Sequence, residues 1–571
     1  MKKPLIYLVM AISAMSSQAQ SQCLRLNQLG YFPNQEKIIV LDNVQPKGSV
    51  TLCDEKGKKV KSFKVKASIQ SPWSNKTRHL LNLTSFTQPG DYRLQYNGES
   101  MPLHIGDNLL HGISIASLKA FYMMRSGVPI EEKYAGRYAR PLGHPDTEVF
   151  IHPSAASAGR DAGTVISSPF GWYDAGDYNK YITNSAFTIG LLLSVYEQIP
   201  EYFSKLNTDI PESGNLTPDL LDEMMFNLKW MLTMQDPGDG GVYHKLTTPS
   251  FEGFVMPRDC HQKRYVVAKS VTATYDFAAV MAQAARLFKD NPDYPNFTDQ
   301  ATEAAIKAYD WALAHPDAFY SQRIINSKFE PMVHTGEYGD FFSDDERFWA
   351  ATELYLLTGN PQYKIDASKF LPSSMQTPVW GQVAALGSLA WLDSRDNYMY
   401  EPIIRHLKEY SDSLIAKTTS SCFFAPFGNE KSDFGWGSLA EHCCAPAILL
   451  LYADKHIKKG AYACHALENA NYLLGRNPLG YCYVTGWGVK SPKHPHQRLS
   501  SADGIDDPMP GLLVGGPNPG QQDKNDMKDQ YQSNLPDESY LDVEGSYASN
   551  EIAINWNACL AGLLCWLDEI F

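Results

Sequence analysis

A chain of 571 residues, 44% hydrophobic and 12% aromatic, can fill a large core and has the length of two domains. Its formal net charge of −13 argues against a polyanionic partner such as nucleic acid and leaves a neutral polysaccharide open. The 32 tyrosines and 11 tryptophans supply flat rings that can pack on sugar faces, although filling a core is the commoner use.

The first residues, MKKPLIYLVMAISAMSSQAQ, read as a secretory signal over 1–20. Lys2 and Lys3 form its charged start, Leu5 to Met15 its apolar run, and Ala19 precedes a cut. That run is too short to cross a bilayer and no later stretch would, so the expectation is an exported protein, secreted or periplasmic. Cys23 raises a lipid anchor, but the AQSQ before it fits such a signal poorly. The 10 cysteines include no CxxC pair, and most read as small buried residues.

Residues 21–106 read as short strands. Ile38 to Leu41 is an apolar run, and Val50 to Val65 reads as a hairpin around Asp54-Glu-Lys-Gly57. Tyr92 to Tyr96 alternates, Asn97-Gly98 is a tight-turn signal, and Met101 to Ile105 resumes. The expectation is a small β-sandwich that props a larger domain. From 107 to 571 the apolar period becomes helical, with roughly a dozen helices. Thr217-Pro-Asp219 opens one of them, and Gly359-Asn-Pro361 stops another. Stretches rich in Gly, Pro, Asp and Tyr, at 134–180 and 477–549, read as long functional loops. An even number of helices can pair into an α/α barrel with such loops at one end, and periodicity alone leaves a helical solenoid equally open.

Three segments carry candidate chemistry. GWYDAGDYNKY at 171–181 holds Asp174 and Asp177 among Trp and Tyr, a setting in which a sugar ring could stack beside an acid or base. YCYVTGWGVKSPKHPHQR at 481–498 ends in His496 and Arg498, and YASNEIAINWN at 547–557 places Glu551 at the start of the last helix. Glycoside hydrolysis needs one protonated and one ionised carboxyl across the scissile bond, and these residues supply that inventory. Taken singly, Glu551 reads equally well as a first-turn helix acid, and His496 with Arg498 as a surface loop pair.

Taken together, these segments resemble glycoside hydrolase family 9, the inverting cellulases, in the branch with an N-terminal immunoglobulin-like domain. GGVYHK at 240–245, FWAATELYLLTG at 348–359, GWGS at 435–438, LVGGPNPG at 513–520 and SNEIAINWNA at 549–558 extend the likeness in the family's order. The resemblance implies a mainly α protein, an (α/α)6 barrel preceded by the immunoglobulin-like sandwich, acting on β-1,4-linked glucans without a cofactor for the chemistry. It implies that Asp177 is the general base, Asp174 a holder of the attacking water and Glu551 the general acid. By the same likeness His496 and Arg498 contact sugar and steady the carboxylates. His244 and Trp436 line the cleft by that likeness, and Tyr547, four positions before Glu551, is a candidate contact for it. Inversion requires Asp177 and Glu551 about 6.5–9.5 Å apart. A structural calcium is implied at Asp345 and Glu346, where the alternative is a pair of helix-start acids.

The likeness breaks at 138–170, which carries His144 and His152 but not the Cys-His pair of many relatives, and at Leu439, where the family's WGSN has Asn. A loop of that kind would wall off one end of the cleft and favour cutting from a chain end. Two other readings follow: an exo-acting β-glucosidase or β-glucosaminidase of the same family, and an exported glycan-binding protein without catalysis.

Overall fold

The computed structural model describes residues 23–394, 397–527 and 530–571; the expected leader at 1–20 lies outside them. The N-terminal sandwich is built from β1 (Leu24–Arg25), β2 (Ile38–Leu41), β3 (Val50–Asp54), β4 (Lys59–Phe63), β5 (Ala67–Gln70), β6 (Thr77–Asn82), β7 (Gly90–Tyr96) and β8 (Glu99–Ile105). Two antiparallel sheets, ordered β1-β2-β6-β5 and β4-β3-β7-β8, face each other. Asn97 and Gly98 both adopt positive φ, as the two-residue turn between β7 and β8 requires.

The unbroken apolar run of β2 has a specific cause. Side chains alternate faces along a strand. Ile39 and Leu41 enter the sandwich core, whereas Ile38 and Val40, with Leu80 of β6, join the core of the helical domain. The sheet is therefore apolar on both faces because both are covered. Polar ties cross the same seam. Arg78, almost fully buried, faces Asp42 and Asp537 at 3.2 Å each, and the Trp73 indole donates to Asp537 at 2.8 Å.

Twelve principal helices follow: α1 (His111–Met123), α2 (Ile182–Gln198), α3 (Asp219–Thr233), α4 (Val271–Leu287), α5 (Phe297–Ala314), α6 (Asp344–Thr358), α7 (Pro361–Lys369), α8 (Ala384–Asp393), α9 (Asn397–Ile415), α10 (Ala445–His456), α11 (Ala463–Leu473) and α12 (Ile554–Ile570). Six form an inner ring, in which α12, α2, α4, α6 and α8 pack in succession and α10 returns to α12. Each inner helix carries an outer partner: α1 on α12, α3 on α2, α5 on α4, α7 on α6, α9 on α8 and α11 on α10. This is the (α/α)6 barrel. Inner helices are apolar almost all round, as α2 and α12 are, because they are enclosed on every side.

The long loops are not structureless. A small sheet of β9 (Val149–Ile151), β10 (Val165–Ile166), β11 (Lys180–Tyr181), β12 (Lys245–Thr247) and β13 (Arg264–Val266) runs across one end of the barrel, with β11 at its edge beside β12. Pairing of Lys180 with Leu246 and Tyr181 with Lys245 sets the exit of the 171–181 loop.

Candidate active site

The 171–181 loop is clamped from behind. Lys180 donates to the Phe170 carbonyl at 2.7 Å and pairs with Asp146 at 2.8 Å; Arg264 also pairs with Asp146 at 2.8 Å and donates to the Tyr178 carbonyl at 2.9 Å. Arg498 reaches the Gly176 carbonyl from the opposite side at 2.6 Å. Trp172, Tyr173 and Tyr178 are buried, and the Trp172 indole donates to Glu223 at 2.7 Å. These rings are anchors, not the sugar platform expected from their place beside the acids.

Clamped in this way, the loop presents two carboxyls to one cavity of about 780 Å³, and Glu551 reaches the same cavity. Glu551 does not open the last helix, which starts at Ile554. It lies in extended backbone bridged to His496, ahead of α12, so a helix dipole does not account for its presence. Its Oε1 accepts the Gly176 N–H at 3.3 Å. Gly176 has to be glycine: a Cβ there would lie 2.5 Å from the His496 carbonyl and 3.0 Å from Glu551 Oε1.

The three carboxyls have different surroundings. On Asp177, Oδ2 accepts from the Asn179 amide at 2.5 Å and the Tyr181 hydroxyl at 3.0 Å; Oδ1 takes no hydrogen bond among the described residues. On Asp174, Oδ1 accepts from Asn184 at 2.7 Å and Oδ2 from the Tyr338 hydroxyl at 2.7 Å. Burial, then the charge of Asp177, pushes Asp174 well above the usual carboxylate range. Burial, reinforced by Asp177, raises Glu551 to about 8, which keeps it protonated at neutral pH. Acid–base cleavage of a glycosidic bond requires a carboxyl that carries a proton to give to the leaving oxygen, and Glu551 meets that requirement.

Of the expected contact residues, Trp436, His496, Arg498 and Tyr547 line the cavity. Trp436 is 41% exposed and lies 5.8 Å from Tyr547 between ring centroids. Arg498 is spent on main-chain carbonyls, Gly176 and Glu252, so it steadies the loop and lowers Glu551 only as a distant charge. Tyr547 bonds to Asp526 at 3.2 Å, not to Glu551. His244 does not reach the cavity. It is fully buried behind the wall, bonded to Ser270 and to the Glu337 carbonyl and stacked on Tyr320 at 3.9 Å. No residue of 138–170 lines the cavity either, and its walls include Phe251 and the segment around Glu337 and Tyr338. His144 and His152 are buried, bonded to Tyr173 and to Ser154.

Sequence reasoning missed Tyr338, Asn184, Trp380 and Glu441. Tyr338 belongs to a loop with no motif, and only its bond to Asp174 identifies it. Asn184 lies ten residues beyond Asp174 in the first turn of α2, a register that becomes visible only once the loop folds back.

Asp345 and Glu346 open α6 beside Asp340 and Asp276. Burial, then the neighbouring negative charges, raises Asp276 and Glu346 far above the ordinary range. Both Asp276 oxygens and Glu346 Oε2 are buried without a partner. Asp345 Oδ2 accepts the Val383 N–H at 2.8 Å. As arranged, no group of three or more acidic, His or Cys side chains among the described residues converges closely enough to hold a metal ion. The donor chemistry, all carboxylate oxygen with orphaned lone pairs, nevertheless fits a hard cation.

Comparison with known proteins supports this geometry. The profile described as glycosyl hydrolase family 9 matches residues 113–564, and that of the cellulase N-terminal ig-like domain matches residues 19–101. The chain is 52% identical to a xyloglucan-specific endo-beta-1,4-glucanase, BoGH9A, of Bacteroides ovatus, over 99% of this chain and 96% of the relative. It is 30% identical to endoglucanase D of Acetivibrio thermocellus, covering 94% and 82% of the two chains. A solved Bacteroides ovatus GH9 structure superposes with a TM-score of 0.92 at 52% identity, covering 96% of this chain and 99% of that one. A thermostable endoglucanase variant from Alicyclobacillus acidocaldarius gives 0.85 at 29% identity, covering 96% and 99%. With its sandwich, its six-fold barrel and its three carboxyls in one cavity, the chain belongs to glycosyl hydrolase family 9 and is a glycoside hydrolase.

Proposed function

We propose that the protein is an inverting endo-β-1,4-glucanase whose preferred substrate is xyloglucan, with Asp177 as base and Glu551 as acid. One observation carries the assignment of roles: Asp174, Asp177 and Glu551 face one cavity, and Asp177 Oδ1 and Glu551 Oε2 take no hydrogen bond among the described residues, whereas both Asp174 oxygens are bonded. A water beside Asp177 Oδ1 loses a proton to it while attacking the anomeric carbon. Glu551 gives its proton to the departing glycosidic oxygen, so the configuration at that carbon inverts. Asp174, fixed by Asn184 and Tyr338, faces the same cavity and orients the water. The substrate rests on the identity to the xyloglucan-specific relative. We further infer export through the leader at 1–20, and a calcium at Asp345 and Glu346 with Asp276 and Asp340 as the added donors.

The test is Glu551→Gln against Asp177→Asn. Glu551→Gln should lower kcat/KM on xyloglucan about 10³-fold and recover much of that on an aryl glycoside whose phenol leaves without a proton. Asp177→Asn should fail on both. The α-anomer should appear first by NMR, with a rapid fall in xyloglucan viscosity. Wild-type activity should also decline as pH rises through about 8, where Glu551 loses its proton. Full activity in Glu551→Gln, or a β-anomer appearing first, overturns the assignment.

A further inference from the structure

Besides Asp174, Asp177 and Glu551, two acidic residues line the cavity: Glu337, whose carboxyl accepts the Gln322 N–H at 2.8 Å, and Glu441, which the hydrolytic step does not use. Glu441 lines it together with Asn555, Trp556 and Trp436. It stands in a π-helical turn, Leu439–Cys444, that leads into α10. Such turns are rare and concentrate at functional sites, because the extra residue re-aims a side chain. Here Glu441 is turned inward while the next residue, His442, is exposed.

Three features identify a built polar pole. Trp556 packs on the backbone of Gly437, where a Cβ would lie 2.4 Å from its indole nitrogen, and that indole N–H orients the Glu441 carboxyl. Asn555 Oδ1 is buried with no partner. No Lys or Arg pairs with Glu441 among the described residues. Burial raises Glu441 to about 7, and the causes of that shift do not include Asp174, Asp177 or Glu551. It therefore stands apart from the reacting carboxyls while sharing their cavity. Two acceptors without a cation, beside the exposed ring of Trp436, call for a ligand edge rich in donors.

Resting on the glucanase reading, we propose that Glu441 and Asn555 are specificity determinants, a pair of acceptors that binds the donor edge of a sugar residue stacked on Trp436. The shared chemistry is a vicinal hydroxyl pair, as on glucose, or a hydroxyl beside an ammonium, as on glucosamine. A site built to accept such bonds rejects a sugar that lacks the donors, because its own buried oxygens would stay unpaired.

The experiment compares wild type, Glu441→Gln and Glu441→Asp on cellotetraose, a xyloglucan oligosaccharide and chitosan tetramer. Tm is read alongside, so that misfolding is seen directly. Glu441→Gln should raise KM for the preferred sugar about tenfold while kcat falls no more than about threefold, and Glu441→Asp should recover part of the loss. Preference for the glucose oligomers identifies the hydroxyl pair, and preference for chitosan identifies the ammonium. Calorimetry of the same oligomers on Glu551→Gln, with and without Glu441→Gln, reads binding apart from cleavage. Unaltered KM and affinity in folded Glu441→Gln, or equal losses in the Asp variant, overturn the proposal. Failure of the glucanase reading appears separately, as full activity in Glu551→Gln.

Discussion

At the residue scale, the carboxyls are set by the hydroxyls that hold them. Tyr181 accepts the Gly336 N–H at 3.1 Å and donates to Asp177 at 3.0 Å, so its hydroxyl has a single orientation. Lys245, buried and lowered to about 7 by desolvation, stands 5.6 Å from the Tyr181 ring centroid and bonds to the Gly336 carbonyl. Asp174, Glu551, His496, Arg498 and Lys245 complete the charged surroundings of Asp177. Tyr181→Phe keeps the ring and removes one donor from the base. Its kcat should fall about tenfold with KM little altered. A purely structural role would lower Tm and leave kcat at low temperature unchanged.

At the element scale, the start of α6 is the strained point of the barrel. Asp340, Asp345 and Glu346 crowd there, and Asp276 of α4 faces them with both oxygens unpaired. Asp276, Asp340 and Glu346 are raised above their unfolded values, so the folded state holds more protons than the unfolded one. Their contribution to stability is then present at low pH and lost as pH rises through the folded values. In EDTA, Tm should fall as pH rises above the ordinary carboxylate range, and added calcium should restore it at the upper end. Asp276→Asn should flatten that pH dependence and weaken the calcium response. Calorimetric scans across pH, with and without calcium, check both outcomes.

At the scale of the whole molecule, the sandwich is part of the barrel's core and not a tethered module. Ile38, Val40 and Leu80 belong to the same apolar cluster as the inner helices. Arg78 balances Asp42 and Asp537 across the seam. Arg78→Ala leaves those acids buried without a counter-charge and should cost about 3–5 kcal/mol. Scanning calorimetry should show a lower Tm, with the sandwich melting apart from the barrel, while kcat at low temperature stays near wild type. A single unshifted transition would mean that the seam carries no net stability.

Much of this architecture was legible from local patterns. The helical period marked all twelve principal helices, because each inner or outer helix must bury a face whatever its neighbours are. Gly359-Asn-Pro361 ended α6 and began α7 as its chemistry demanded, with Gly359 in the left-handed conformation and the Asn360 side chain capping the next helix. Asn97-Gly98 closed its hairpin for the same local reason. Asp174, Asp177 and Glu551 were legible as a set only through the family's order of motifs, since no spacing links residues nearly four hundred positions apart.

What tertiary structure alone decided is the use made of each side chain. Trp172 and Tyr173 became anchors because the loop folds inward on α3. His244 was withdrawn behind the wall because β12 turns it toward Ser270. Tyr338 and Glu441 gained their roles from segments with no signature of their own. Sequence by itself determined which elements form, since propensity, turns and apolar period are local. Side-chain direction and hydrogen-bond partners depend on which distant backbone arrives beside them, and only the folded barrel supplies that.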